Sequence, residues 1–384
     1  MISNPFSPIF GGKPDVFFGR ERLLKNFDQA MIDVGSDNRA IFITGTRGSG
    51  KTALLEQLSI RASSKKRKVI DLGPENTISQ LIYELTGYDE VTKTFNPQAN
   101  VSVLGTGAGI SGKSISKTDH IGRENLQTIF LEACSNYKSG LLITVDEIQK
   151  VPIEDISSLC NAFQMSSRKG CDVMLAVAGL PYAYSRIISH EGCTYLRRAT
   201  HEELALFTWE EANDALNKTF SKIKGLSVSD AIIDRLNQVC YGHPYIMQLL
   251  GYHLIIHIND HITNKNHRVT DDEVEVAISN ALFAYEQRAL KPLIDELPNG
   301  EKTYLVKMSE SLKSDRLADT SEIASRVGVT QNKLSRQRAY LIDHGIIASP
   351  ERGKVMFCIP YLADYVVKEG HTSDAITIAR ERKV

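Results

Sequence analysis

The chain has almost none of the features that mark a secreted, membrane-bound or metal-organised protein. Its six cysteines, Cys134, Cys160, Cys171, Cys193, Cys240 and Cys358, form no C-x-x-C pair, and none stands near a histidine at metal-ligand spacing. That excludes a disulfide scaffold and a zinc module, and scattered reduced thiols in a cytoplasmic protein are the expectation. The start, Met1-Ile2-Ser3-Asn4-Pro5, lacks the basic and apolar segments of a secretory signal. No apolar run is long enough to span a bilayer. The nearest, Tyr245 to Ile258, is interrupted by Gln248, Gly251, His253 and His257, so it reads as a buried helix and no membrane is expected. Charge of one sign is missing too. With 45 Lys and Arg against 46 Asp and Glu, any surface for a polyanion must be local. No internal repeat is present. What remains is 384 residues, 42% hydrophobic, enough for two or three domains with cores of their own.

Against that background one segment stands out. Gly45-Thr46-Arg47-Gly48-Ser49-Gly50-Lys51-Thr52 is a complete G-x-x-x-x-G-K-T phosphate-binding loop. The apolar, β-branched run Ala40-Ile41-Phe42-Ile43-Thr44 precedes it as a buried strand, and Ala53 to Leu58 follows as a helix. Strand, glycine loop and helix are the context this motif needs. Glycines let backbone N–H groups turn around a phosphate, and the helix N-terminus adds partial positive charge. In such a loop Lys51 reaches the β- and γ-phosphates, and the Thr52 hydroxyl ligates Mg²⁺.

A second buried strand, Leu141 to Val145, ends in Asp146-Glu147. An acid there holds Mg²⁺, and the next is placed to activate the attacking water, so Asp146 is read as a metal residue and Glu147 as the hydrolytic base. A third strand, Val173 to Ala178, ends in Ala178-Gly179, without the polar residue that many hydrolysing P-loop proteins carry at this tip. Slow hydrolysis is therefore expected.

Phe18-Gly19-Arg20-Glu21, upstream of the loop, resembles the hydrophobic-G-R-E box of AAA+ ATPases and STAND signalling ATPases, where that segment covers the adenine. The resemblance implies ATP rather than GTP, with Gly19 and Arg20 in the nucleotide site. No guanine-reading N-K-x-D motif is present. Leu23 departs from the pattern, standing where the family has a second acid. The lead-in Asn4-Pro5-Phe6, Phe10-Gly11 and Pro14 also resembles a group of bacterial AAA-type ATPases.

Beyond residue 200 the pattern turns helical. Thr208 with Glu211 and Thr270 with Glu273 are capping boxes, opening helices to about Phe220 and Arg288, and Ser229 to Cys240 forms another helix. This succession resembles the AAA+ lid. Gly242-His243-Pro244 punctuates a helix junction and is similar to the G-x-P motif of STAND and origin-recognition-type ATPases, which implies contact between Pro244 and nucleotide. The sensor arginine those relatives place in the next helix is missing between Gly242 and His257. Arg197-Arg198 resemble the arginine finger that AAA+ proteins present to a neighbouring subunit, so a homo-oligomer would complete the site.

A helix from Glu301, a short helix Ser321 to Val327, a turn at Gly328-Val329 and a third helix from Gln331 to Asp343, capped by Thr330, make a helix-turn-helix. Strands at 346–348 and 355–358 around Arg352-Gly353-Lys354 add a hairpin, hence a winged helix resembling that of origin-recognition-type and archaeal ATPases. Gln331, Asn332, Lys333, Arg336 and Arg338, with Arg352 and Lys354 on the wing, suit contacts to phosphates and base edges of double-stranded DNA. Yet residues 301–384 hold 14 Lys and Arg against 11 Asp and Glu, and a winged helix facing a protein partner is the alternative. Val101 to Ser116 is rich in glycine and serine and reads as a surface insertion or a gripping hairpin. Lys65-Lys66-Arg67-Lys68 complements a helix C-terminus.

The expected architecture is a three-layer α/β P-loop NTPase core with a parallel sheet, followed by a helical lid and a winged-helix domain. The boundaries are an N-terminal lead over 1–14, an AAA-type core over 15–200, the lid over 201–290 and the winged helix over 291–384. The function expected is an ATP-binding, slowly hydrolysing switch whose winged helix binds DNA. The alternative is a STAND-like signalling or defence ATPase whose winged helix contacts protein. A metabolic kinase is disfavoured, since nothing resembles a phosphoacceptor pocket.

Overall fold

The computed structural model describes residues 2–9, 17–86, 126–261 and 266–369. The glycine-rich stretch over 101–116, residues Phe10, Gly11 and Pro14 of the lead-in, and residues 370–384 lie outside these.

Five strands, β1 (Ala40–Gly45), β2 (Lys68–Leu72), β3 (Leu141–Val145), β4 (Val173–Gly179) and β5 (Thr200–Leu204), form one parallel sheet in the order β2-β3-β4-β1-β5. Central strands covered on both faces read as continuous apolar runs, which is how β1, β3 and β4 read. Side-chain alternation then sorts them. Ile41 and Ile43 face α1 (Glu21–Ala30) and α2 (Lys51–Ser64), packing with Phe27, Leu54 and Leu58. Phe42, Ile143 and Leu175 face the opposite layer with Leu81, Phe130, Leu159 and Phe163. Those residues come from α3 (Thr77–Thr86), α4 (Leu126–Asn136) and α5 (Ile153–Arg168), and α6 (Pro181–Ile188) completes the layer. The fifth strand carries the sheet to Leu204, past the boundary expected at 200. Its sequence, Thr200-His201-Glu202-Glu203-Leu204, is polar because it is an edge paired only to β1.

At the end of the sheet far from the glycine loop, Asp172 accepts hydrogen bonds from both Arg39 and Arg67. The same guanidinium groups donate to the carbonyls of Ala30 and Met31, at 2.9 and 2.7 Å, so α1 is tied to the strand ends. Gly140 leaves the room this needs, because a Cβ there would lie 2.1 Å from Arg67 Nη1.

The lid comprises α7 (Trp209–Phe220), α8 (Asp230–Cys240), α9 (Pro244–His261) and α10 (Asp271–Tyr285), with a two-stranded pair of β6 (Leu226–Ser227) and β7 (His267–Arg268). Both capping boxes form as expected, and Ser229 caps α8. The apolar run from Tyr245 is the buried helix α9, and no described helix is long and apolar enough to cross a membrane. Gly251 interrupts that run to seat Phe6, since a Cβ there would come within 2.3 Å of the ring. The lead-in thus straps the lid. Ile2 N donates to Asn259 Oδ1 at 2.6 Å and Ser7 N to Gln248 Oε1 at 2.8 Å.

A π-helical turn, Glu286–Leu290, and α11 (Lys291–Asp295) lead into the winged helix. It consists of α12 (Asn299–Glu310), β8 (Ala318–Asp319), α13 (Thr320–Val327), α14 (Ser335–Asp343), β9 (Ile347–Ala348) and β10 (Lys354–Phe357), with a last helix over 362–369. The sheet order is β8-β10-β9, antiparallel throughout. One expectation is corrected. The third helix does not begin at Gln331 under a Thr330 cap: Gln331–Leu334 is a 3₁₀ turn without a side-chain cap, and the α-helix opens at Ser335. One hydrophobic cluster runs from Leu250 and Tyr285 of the lid into Leu305, Leu341 and Leu362, so lid and winged helix share a core.

Candidate functional site

The loop after β1 wraps the N-terminus of α2. Gly48 (φ +78°) and Gly50 (φ +95°) adopt left-handed backbone that other residues take only with strain. Lys51 is buried, and its ammonium donates to the carbonyls of Gly45 and Thr46, at 3.0 and 2.9 Å. Burial lowers its pKa, against the opposing pull of Glu147 and Asp146. Thr52 Oγ1 donates to Asp146 Oδ2 at 2.6 Å, which brings together the ends of β1 and β3. Asp146 Oδ1 accepts from Glu147 N at 2.8 Å, and Glu147 itself is left-handed (φ +49°). Strain of that kind at a non-glycine residue persists where surrounding contacts hold it.

The loop and Glu147 line a cleft of ≈ 390 Å³ whose two halves differ in character. One is the polar loop, with Ser49, Lys51, Thr52 and Glu147. The other is apolar, built from Ile9, Phe17 and Phe18 on one side and Pro244, Tyr245 and Met247 of the lid on the other. Arg20 also lines the cleft, donating to the Ala205 carbonyl at 2.6 Å with its guanidinium over the Phe207 ring. Gly19 (φ +66°) permits that approach, because its Cβ would already be 3.0 Å from Phe207. The residues present fit a nucleoside triphosphate. Ser49 Oγ is buried with no hydrogen-bond partner, and the space beside Gly50 is open. Thr52 and Asp146 supply the pair of hard oxygens that Mg²⁺ takes.

His243, which sequence reasoning passed over, locks lid to loop. Its Nε2 lies 3.2 Å from the Arg47 carbonyl, and its ring occupies the space beside Gly48. Burial pushes its pKa down to about 4, so it is neutral and the nitrogen facing the carbonyl donates. The middle position of G-x-P was the signal, had its side chain been considered along with the proline. Arg47 also reaches the linker, pairing with Glu296 at 2.9 Å.

Arg197 and Arg198 do not line this cleft. Arg197 donates twice to the Ile188 carbonyl, at 3.0 and 2.8 Å, closing the end of α6, and Arg198 lines a separate pocket with Arg39 and Arg168. The winged helix does reach the core. Tyr182, at the start of α6, stacks on His344 with ring centroids 4.6 Å apart, and Tyr340 stacks on the other side at 3.8 Å.

The cations of the winged helix fall into two groups. Lys307, Lys313, Arg326, Lys354 and Lys368 are paired with Glu310, Asp319, Glu322, Glu351 and Glu286. Lys302 donates to the Asp295 carbonyl and Arg316 to the Tyr241 hydroxyl. Among the described residues, the side chains of Lys333, Arg336, Arg338 and Arg352 have neither an ion pair nor a hydrogen bond. Gln331, Asn332, Lys333 and Arg336 are exposed together at the start of the third helix.

Residues 287–366 match a protein-family model described as a domain of unknown function, DUF8462. No curated protein matches the chain. Among solved structures, the chain is similar to the ORC2 protein of Aeropyrum pernix in its ADPNP–ADP complexes. The TM-score is 0.60 at 14% identity, over 94% of this chain and 96% of that one. The ADP form of the same protein gives 0.53 at 14% identity, over 91% and 92%. The fold is therefore that of this ORC2 protein, a P-loop core followed by a helical lid and a winged helix.

Proposed function

We propose that this chain is an ATP-binding, ATP-hydrolysing switch whose winged helix binds duplex DNA. The observation that carries the nucleotide half is the convergence of Lys51, Thr52 and Glu147 on one cleft with an aromatic, apolar end for a base, and Asp146 hydrogen-bonded to Thr52 behind it. Lys51 would exchange its loop carbonyls for phosphate oxygens, and the loop N–H groups would hold the rest. Thr52 and Asp146 would hold Mg²⁺, which neutralises charge on the phosphates when bound. Glu147 would take a proton from water as its oxygen bonds to the γ-phosphorus. The bond to the β,γ-bridging oxygen breaks, leaving ADP and phosphate. Arg20 and Pro244 would flank the base. Arg197 and Arg198, exposed and away from their own cleft, could serve only a neighbouring subunit's site, so that role goes with a homo-oligomer.

The DNA half rests on the four cations without partners. Each could neutralise a phosphate without first giving up an ion pair. The test is duplex binding by fluorescence anisotropy with ATP·Mg²⁺, ADP·Mg²⁺ and no nucleotide. Lys51→Ala should abolish nucleotide binding and ATP-dependent DNA affinity together. DNA affinity that ignores nucleotide sinks the switch.

A second reading, a signalling ATPase held inactive by its winged helix, is favoured by one observation, the Tyr182–His344–Tyr340 stack against the core. It expects a monomer that retains ADP and shows no salt-sensitive DNA binding.

A further inference from the structure

The tip of β4 carries no polar side chain, and the structure gives a physical reason. A Cβ on Gly179 would lie 2.8 Å from Gln149 Oε1 and 2.9 Å from Ile148 Cγ2. The place is already taken. Gln149 is 7% exposed and sits in the 3₁₀ turn Ile148–Lys150 that follows Glu147. Its Oε1 accepts from Leu180 N at 3.1 Å, and its Nε2 donates to Glu147 Oε2 at 2.7 Å. The amide orientation is fixed by its partners, because a backbone N–H can only donate and an ionised carboxylate can only accept. Arg186 Nη1 donates to the Gln149 carbonyl at 3.2 Å, holding the turn against α6. Lys150 Nζ stands 3.5 Å from the same Glu147 oxygen. One carboxylate oxygen is therefore engaged, while Oε1 has no hydrogen-bond partner among the described residues.

We propose that Gln149 is the positioning residue for Glu147, bringing a polar group from the turn after β3 to the place where many hydrolysing P-loop proteins carry one at the strand tip that β4 forms here. It spans the gap between β3 and β4, fixes the carboxylate through Oε2 and leaves Oε1 turned to the water that attacks the γ-phosphorus. Gly179 is its necessary complement, a residue without a side chain where Gln149 lies. This rests on Glu147 being the hydrolytic base, as read above. Held carboxylates catalyse better than mobile ones because the orientation is set before the reaction begins.

The test is phosphate release from ATP·Mg²⁺ by the full chain, with the affinity for a fluorescent ATP analogue measured in parallel. Gln149→Leu keeps the bulk and removes both hydrogen bonds. It should lower kcat by about 10- to 100-fold and leave KM and analogue affinity within about twofold. Gly179→Ala, which keeps Gln149 but crowds its Oε1, should lower kcat in the same way. In the Gln149→Ala background, Gly179→Asn should recover part of the lost turnover, because a polar group then enters the vacated space from β4. A merely structural glutamine predicts no such rescue. Wild-type turnover in Gln149→Leu overturns the proposal, and so does equal loss of turnover and analogue affinity. A wild-type chain that binds the analogue but releases no phosphate overturns the hydrolytic reading itself, and this proposal with it.

Discussion

The imidazole of His243, on the lid, stands where a side chain on Gly48 of the phosphate loop would have to be: a Cβ there would lie 2.4 Å from its Cε1. Two residues nearly two hundred positions apart are thus fitted to each other, and the fit sets how close the lid comes to the loop. Gly48→Ala combines a strained left-handed backbone with that clash. It should cost about 2 kcal/mol or more in thermal stability, and it should open the cleft and weaken binding of a fluorescent ATP analogue.

His243 also makes the docked lid sensitive to acid. Burial pushes its pKa down to about 4 from 6.5, the hydrogen bond to the Arg47 carbonyl opposes this, and Lys51 adds to it. The unfolded chain therefore takes up the proton first. The stabilising contribution is complete above pH 6.5, declines as the pH falls toward 4, and amounts to about 3 kcal/mol. Melting temperatures of wild type and His243→Gln across this range should converge on acidification. Parallel curves would show that the histidine does not titrate with the fold.

The Asp172 clamp carries a different expectation. Burial alone would raise the carboxyl's pKa, but hydrogen bonds from Arg67 and Arg39 outweigh it and hold the group below its usual value. Its stabilisation is present above the ordinary carboxylate range and is lost as pH falls through the lowered folded value. Asp172→Ala leaves two buried guanidinium groups without their carboxylate, so urea unfolding should show a loss of about 3–5 kcal/mol. Nucleotide affinity at 25 °C should be unchanged, because the clamp is at the opposite end of the sheet from the loop.

What could be read from the sequence was local. The glycine loop, Asp146 at a strand end and the two capping boxes are each written within a few residues. What could not be read depends on partners far along the chain. The Arg39–Asp172 pair joins residues 133 positions apart. Strand β5 is polar because it is an edge, so periodicity gave no signal for it. Gln149 looked like any residue after the acidic pair until β4 came beside it. The missing polar tip at Gly179 was visible as an absence, but its cause was a side chain thirty positions earlier. Thr330 offered the right residue type for a cap, yet the tight 3₁₀ turn that follows it leaves the hydroxyl unused.

On the winged helix, ion pairing separates residues of similar sequence character. Arg352 and Lys354 both border the wing turn, but Lys354 is paired with Glu351 at 3.0 Å and Arg352 is not paired among the described residues. If DNA is bound here, Arg352→Ala should lower affinity and reduce the slope of log K against log salt by about 0.9, the value for one phosphate contact. Lys354→Ala should change both by less, since Lys354 must first give up Glu351. Equal effects, or none, would place DNA elsewhere or nowhere on this domain.

The stack of Tyr182 on His344 is the contact on which the two functional readings part. It joins α6, just beyond the β4 tip, to the end of α14, and Gly345 (φ +65°) brings the chain close enough that its Cβ would lie 3.3 Å from Thr46 of the loop. An aromatic pair of this kind contributes about 1 kcal/mol, roughly fivefold in an equilibrium. Tyr182→Ala should therefore shift the chain by about that factor toward a released winged helix. In a DNA switch, duplex affinity without nucleotide should rise by the same fivefold, and the gain from adding ATP should shrink correspondingly. In a signalling ATPase, the variant should instead release ADP faster, and duplex affinity should stay absent. Nucleotide release and duplex anisotropy measured on one preparation of this variant decide between them: a rise in DNA affinity excludes the purely protein-facing winged helix, and faster ADP release without DNA binding excludes the DNA switch.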